Sequence, residues 1–243
     1  QNQYGYGYGQ YRRAYIGPSA VDTNAQWAGN YYGQWGDKSS FYTGDDGSYG
    51  PKLVGQEVHH WYNMVPEWED LYQKTAPALP THDTPNDFFE TDVTYQNSIS
   101  FEGAGDNGSF RMSYTNVNSD GILPNSMMDR NTASLRGVRN FGKLIADASI
   151  TFVDTKTTGL FGTGYDSLNP MQLFRQWWGI GASILEQKRV FEETGKNYSW
   201  NMIGTNTTDA SATPNHTPLY FDNPYWSRYN NYTSDSRNRS FGN

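Results

Sequence analysis

Between residues 93 and 153 the side chains alternate between apolar and polar, and that period of two constrains the fold more than any other feature. Alternate residues of an extended chain point to opposite faces, so one face of each such segment is apolar and the other wet. Val93, Tyr95, Ile99 and Phe101 share one face, against Thr94, Gln96, Ser98, Ser100 and Glu102. Residues 103–108 (Gly-Ala-Gly-Asp-Asn-Gly) then read as a hairpin turn. Phe110, Met112 and Tyr114 alternate with Arg111, Ser113 and Thr115. A polar connection is expected from Asn118 to Asp129, before a weaker third strand carrying Ala133 and Leu135. A turn over residues 140–143 leads into the clearest strand. There Leu144, Ala146, Ala148, Ile150 and Phe152 oppose Ile145, Asp147, Ser149, Thr151 and Val153. The pattern predicts a four-stranded antiparallel meander over 93–153.

Strands of about 9–10 residues exceed the common length of roughly 5–6. At about 3.4 Å per residue and a tilt near 40°, ten residues rise roughly 25 Å, the height of an outer-membrane apolar band. The opposite face carries Gln96, Glu102, Arg111, Asp147 and Thr151, residues that a wet lumen tolerates. A soluble β-sandwich has the same alternation, and periodicity leaves both architectures open.

The flanking regions carry little such signal. Residues 1–80 show a short Tyr-Gly alternation at 4–9 and scattered Trp27, Trp35, Trp61 and Trp68. So long a stretch without its own elements reads as extended loops on a scaffold. Residues 154–236 are similar except for one helical pattern near 170–193. Asn169 is suited to cap it, Pro170 to open it, and Gly195 to end it. Phe174, Trp177, Trp178, Gly181, Ile184, Leu185, Lys188 and Phe191 form its stripe, while Gly179 and Gly181 weaken the middle and leave two shorter helices open.

Composition removes several classes. Hydrophobic residues are only 35% of the 243 and the mean hydropathy is −0.82, yet aromatics reach 16%, which disordered chains do not. No apolar run approaches the roughly 18 residues of a membrane-spanning helix, whereas alternating barrel strands leave hydropathy low. A net charge of −7 without a basic cluster argues against nucleic acid as partner. The absence of cysteine excludes disulfides, thiolate metal sites and a thiol nucleophile.

Several short segments, taken in order, carry a family resemblance. They are residues 1–5 (Gln-Asn-Gln-Tyr-Gly), 48–55 (Ser-Tyr-Gly-Pro-Lys-Leu-Val-Gly) and 85–91 (Pro-Asn-Asp-Phe-Phe-Glu-Thr). Residues 108–116, 121–126 (Gly-Ile-Leu-Pro-Asn-Ser), 130–132, 223–226 (Asn-Pro-Tyr-Trp) and 237–243 (Arg-Asn-Arg-Ser-Phe-Gly-Asn) continue the series. Together they resemble the SusC/RagA family of TonB-linked outer-membrane transporters, over essentially the whole chain. The chain departs from the family at Val54, where an Asp is usual, so a loop which that Asp would order must be held otherwise.

The resemblance implies an all-β fold, an antiparallel segment of a transmembrane barrel of about 22 strands, with long extracellular loops that contain a short helix. It implies a bacterial outer-membrane location, a SusD-like surface lipoprotein as lid, and import of oligosaccharides or peptides energised by TonB. The plug and the TonB-contacting segment of the family lie upstream of the matched stretch, so the chain is expected to be an internal piece of the early barrel. Residues 1–92 are then expected as an extracellular loop region and 93–153 as the barrel meander. Residues 154–236 follow as a long extracellular loop, and 237–243 begin the next strand. Residues 103–108 and 140–143 become periplasmic turns, and 118–130 faces outside with the loops.

No catalytic, metal or cofactor constellation is legible, and the chain reads as a transporter and not an enzyme. His59 and His60 are adjacent and would diverge on a strand; His82, Asp83 and His216 lack ligand-spaced partners. Asp45 and Asp46 lack calcium-loop spacing, and Glu67 with Glu69 reads as a solvated pair. Aromatic rings stack on sugars or peptide side chains, which makes Trp27, Trp35, Trp61, Trp177 and Trp178 the candidate substrate contacts. Leu144, Ala146, Ala148, Ile150 and Phe152 are expected to face lipid. The competing reading is a soluble, secreted β-rich module that binds glycans through exposed aromatics.

Overall fold

A computed structural model describes residues 34–35, 38–39, 53–55, 57–58, 60–72, 74, 76–166, 168–179, 182–204, 215–218, 220–230 and 233–242. They fall into two compact units, a loop unit drawn from 1–88 and 161–231 and a sheet unit drawn from 89–160 and 232–243. In chain order, β1 (Gln34–Trp35) pairs with β2 (Lys38–Ser39), and β3 (Glu57–Val58) with β4 (Ala76–Pro77). The long strands follow: β5 (Val93–Gly105), β6 (Gly108–Asp120), β7 (Met127–Asn140) and β8 (Ile145–Leu160). After them come helix α1 (Pro170–Gln172), which runs into a wide turn over Leu173–Trp177, and α2 (Ile184–Thr194). Strands β9 (Met202–Gly204) and β10 (Asn215–Pro218) pair before α3 (Pro224–Asn230) and β11 (Thr233–Gly242).

The sheet unit is one antiparallel sheet in the order β11-β8-β7-β6-β5. It is open, with β5 and β11 as its edges. The strands run for 13, 13, 14 and 16 residues from β5 to β8, longer than the alternation alone predicts. The polar connection expected from Asn118 to Asp129 is corrected by this. Asn118 pairs with Asp129 and Asp120 with Met127, so only residues 121–126 connect β6 to β7. Cross-strand hydrogen bonds hold these polar residues extended where their own propensities favour a turn.

The turns follow local chemistry. Gly105 pairs with Gly108 around Asp106 and Asn107, and φ at Gly108 is 155°. A Cβ there would lie 2.2 Å from the Val138 carbonyl oxygen, so only glycine fits. Between β7 and β8 the Phe141 N–H donates to Leu144 O at 2.7 Å, and Gly142 N–H to Asn140 Oδ1 at 2.9 Å.

The loop unit has its own core. Val65, Trp68, Phe88, Leu173, Trp178, Ile184, Val190, Trp200, Phe221 and Tyr225 are buried. Asn169 Oδ1 accepts from Met171 N–H at 3.1 Å with Pro170 at the first helical position, and Gly195 closes α2 in the left-handed region at φ 67°. Of the two readings of 170–193, the shorter helices form and the single stripe does not, since Trp178, Gly179, Ala182 and Ser183 lie outside any helix. The helical phase restarts at Ser183, whose Oγ accepts from Glu186 N–H at 3.1 Å. α2 therefore buries Ile184, Gln187 and Val190, and Leu185 points outward at 51% exposure.

Candidate functional site

The sheet has two chemically distinct faces, and cross-strand register fixes their membership. On one face Ile99 lies opposite Tyr114, which lies opposite Ala133, which lies opposite Phe152. The next row joins Phe101, Met112, Leu135 and Ile150, and the one after it Gly103, Phe110, Gly137 and Ala148. Ala146 continues this face opposite Arg139, and Leu144 precedes β8 at 65% exposure. In the Ile99, Phe101 and Phe110 rows the large apolar side chains are between 44% and 58% exposed, and those of the first two rows line a shallow depression of about 410 Å³. Packed domains bury such a face.

Beyond the Tyr114 row the same face changes character. Asn97, Asn116, Asn131, Asp154 and Asn238 form one row across all five strands. Tyr114 Oη donates to Asn131 Oδ1 at 2.6 Å, and Asn116 Nδ2 donates to Asp129 Oδ1 at 3.1 Å and Asn131 Oδ1 at 2.9 Å. Tyr114 thus ends the apolar band with its hydroxyl turned into an amide belt. The single-strand pattern did not reveal this row, although Asn at alternate positions 116, 118 and 131 was the available signal.

The opposite face is built mainly from hydroxyls and charges, with Val117, Val138, Val153 and Phe241 among them. Thr94 Oγ1 donates to Ser119 Oγ at 2.9 Å, and hydroxyl pairs join Ser98 to Thr115 at 3.0 Å and Ser134 to Thr151 at 3.1 Å. Glu102, Arg111 and Arg136 lie in one row. Arg136 donates from Nε to Asp147 Oδ1 at 3.0 Å and from Nη2 to Oδ2 at 2.6 Å. Further along, Arg130, Arg237 and Arg239 border a groove of about 500 Å³.

In the loop unit the candidate tryptophans take different places. Trp61 and Trp178 are interior, at 5% and 8% exposure. The Trp178 ring packs against Trp200 at 4.5 Å and Phe174 at 5.4 Å between centroids, and Phe174 against Phe88 at 5.0 Å. Trp177 is half-buried beside Tyr220 and Phe221. Trp27 lies outside the described residues; the Trp35 backbone belongs to β1, and its side chain lies outside them. Trp61, Trp177 and Trp178 are not gathered on one open surface.

Asparagine side chains hold this unit where regular structure does not. Asn63 Oδ1 accepts from His60 N–H at 2.9 Å and its Nδ2 donates to Leu71 O at 3.1 Å. Asn201 Oδ1 accepts from Tyr220 and Phe221 N–H, at 2.8 and 3.1 Å. Asn223 Nδ2 donates to Gln187 O and Tyr198 O, and its Oδ1 accepts from Tyr225 and Trp226 N–H at 2.9 and 3.2 Å. Buried backbone must find partners, and these amides supply them.

The polar candidates take structural positions. Asp83 Oδ2 accepts from Ser183 Oγ at 2.9 Å and Leu185 N–H at 3.0 Å, so it anchors the start of α2. Glu67 Oε1 accepts from Lys196 Nζ at 2.6 Å and Tyr198 Oη at 3.2 Å. Burial raises the Glu67 carboxyl, but the Lys196, backbone and Tyr198 contacts outweigh it and hold the group below its usual range. The Tyr62 phenol is pushed up to about 12, by burial first and the Glu186 carboxylate second. His60 Nε2 lies 3.3 Å from Pro77 O and its ring stacks on Tyr62. His82 is exposed, while His59, Asp45, Asp46 and the His216 side chain lie outside the described residues. Among the described residues no three His, Asp or Glu side chains converge to hold a metal ion. Among them, too, no helix is long and apolar enough to cross a membrane, which says nothing of strands.

No family model matches this chain, and no curated protein matches it significantly.

Proposed function

We propose that this chain is part of a TonB-dependent outer-membrane transporter of the SusC/RagA kind, importing oligosaccharides or peptides beneath a SusD-like lipoprotein lid. One observation carries the reading: the sheet keeps an exposed apolar band on one face and hydroxyls and charges on the other. From Leu144 to Phe152 the band spans eight residue steps, about 27 Å along the strand at ~3.4 Å each. At a tilt near 40° this becomes roughly 21 Å along the bilayer normal, close to the ~25 Å band of outer-membrane barrels. A tyrosine border followed by an amide belt suits the passage from hydrocarbon to headgroups. The Ser/Thr/Arg face then lines a wet lumen, and the open edges β5 and β11 pair with further strands. A soluble glycan-binding module would instead need a second layer over the apolar face.

The chain has no native cysteine, which makes the test clean. Single cysteines are placed from Leu144→Cys through Val153→Cys, and water-soluble and lipid-soluble thiol reagents compete for each in membranes. Transport predicts that positions 144, 146, 148, 150 and 152 react from lipid and positions 145, 147, 149, 151 and 153 from water. Protection of the even positions from both reagents would place them in a dry protein core and end the proposal.

A further inference from the structure

Five of the six arginines in the sheet unit, at 111, 130, 136, 237 and 239, lie on its hydroxyl-bearing face. Their neutralisation is uneven. Arg136 has its two-point partner in Asp147, and Arg237 pairs with Asp235. Arg130 and Arg239 have no carboxylate within ion-pair distance among the described residues, and both are exposed. In a chain of net charge −7, two unpaired guanidinium groups bordering one groove form a local field of the opposite sign.

Register defines how the groove is built. Arg130 on β7 faces Thr155 on β8, and Thr155 faces Arg237 on β11, so two arginines stand in one row with a hydroxyl between them. Two strand spacings separate their backbones by about 9.5 Å. Arg239 stands one row along, opposite Val153, and Thr157 one row the other way, opposite Asp235. Phe241 closes the groove with a ring 58% exposed. Planar guanidinium forks bind carboxylates and sulfates at two points. A ring face and hydroxyls between the cations are what sugar rings use.

We propose that this groove binds an acidic oligosaccharide, one carrying carboxylate or sulfate groups on its sugars, through Arg130, Arg237 and Arg239. The proposal names the substrate class of the importer inferred above and rests on that reading. Arg130 and Arg239 make the charge contacts, Arg237 shares itself between Asp235 and the ligand, and Thr155 and Thr157 bond to sugar hydroxyls. Binding weakens as ionic strength rises, because the groove is open to solvent.

The test is calorimetric titration of the purified protein with a hexagalacturonate, a sulfated hexasaccharide, neutral maltohexaose and hexaglutamate, repeated on Arg130→Gln, Arg239→Gln and the double variant. The proposal expects one or both acidic sugars to bind. It expects a loss of about tenfold for each arginine removed, with maltohexaose unaffected by the substitutions. Equal binding of neutral and acidic sugars, or acidic binding that ignores both substitutions, overturns it; hexaglutamate binding as tightly as the acidic sugars overturns the saccharide assignment. The cysteine accessibility pattern over 144–153, recorded on the same variants, separates the two readings. An alternating pattern without arginine-dependent binding sinks the ligand class alone, and loss of the alternation sinks the importer.

Discussion

The Asn223 side chain donates to the main-chain carbonyl of Gln187, 2.8 Å away and thirty-six residues earlier in the chain. The same amide reaches Tyr198 O at 3.0 Å, and its oxygen receives two N–H groups at the start of α3. One fully buried side chain thus links α2, α3 and the segment between them. Asn223→Ala is expected to cost about 3–5 kcal/mol, since buried backbone groups lose their partner together. Asn223→Asp keeps the acceptor but turns a carboxylate oxygen onto two carbonyls in a fully buried site, so denaturation followed by tryptophan fluorescence should show a loss at least as large as that of Asn223→Ala.

Gln187 is fully buried on α2, and among the described residues neither atom of its side-chain amide has a hydrogen-bond partner. Gln187→Leu keeps the size, removes the orphaned polar atoms and leaves the backbone carbonyl to Asn223. It should raise stability by about 1–3 kcal/mol. A higher denaturation midpoint with an unchanged m-value is the expected result.

Two carboxyls in the loop unit titrate in opposite senses. Glu67 lies below its ordinary 4.5, so its contribution is present above that value and is lost as pH falls through the folded value. Burial pushes Glu186 above 4.5; Arg189 opposes this while Asp83 and Glu193 add to it. Its folded form holds the proton more tightly, so stability falls as pH rises from 4.5 through the folded value. Thermal midpoints from about pH 3 to about pH 7 should show Glu67→Gln flattening the acid side and Glu186→Gln stabilising the neutral side.

Gly159 sits in β8 at φ 71°, where the register against β11 shifts, and a Cβ on it would stand 1.9 Å from Asn125 O. Gly159→Ala should cost about 2–4 kcal/mol through strain and displaced backbone. A Cβ at Gly137 meets nothing within 4 Å among the described residues, so Gly137→Ala should be nearly neutral. Equal tolerance of both substitutions would contradict the close approach.

Within the importer reading, Ile150→Arg and Thr151→Arg place one charge on opposite faces of the same strand. Insertion into lipid vesicles should weaken by roughly 2–4 kcal/mol for the first and change little for the second. Comparable losses at both positions would count against a lipid-facing band.

Which face each side chain of the 93–153 segment shares is legible in the order of residues, because a period of two is a property of the backbone. So is the helix punctuation at Asn169, Pro170 and Gly195, where the capping residue acts on N–H groups next to it. How far the strands extend depends instead on pairing across the sheet. Asn118 and Asp120 are turn formers locally, and it is pairing with Asp129 and Met127 that keeps them in the ladder. The same holds for the interruption before Ser183, which turns Leu185 outward and Gln187 inward, and for the burial of Trp61 and Trp178. The arginine groove needs three strands in register and the amide row five, since no two neighbours in either row are close in sequence. Local signals specify direction and punctuation; partners across the sheet and through the core specify extent and company.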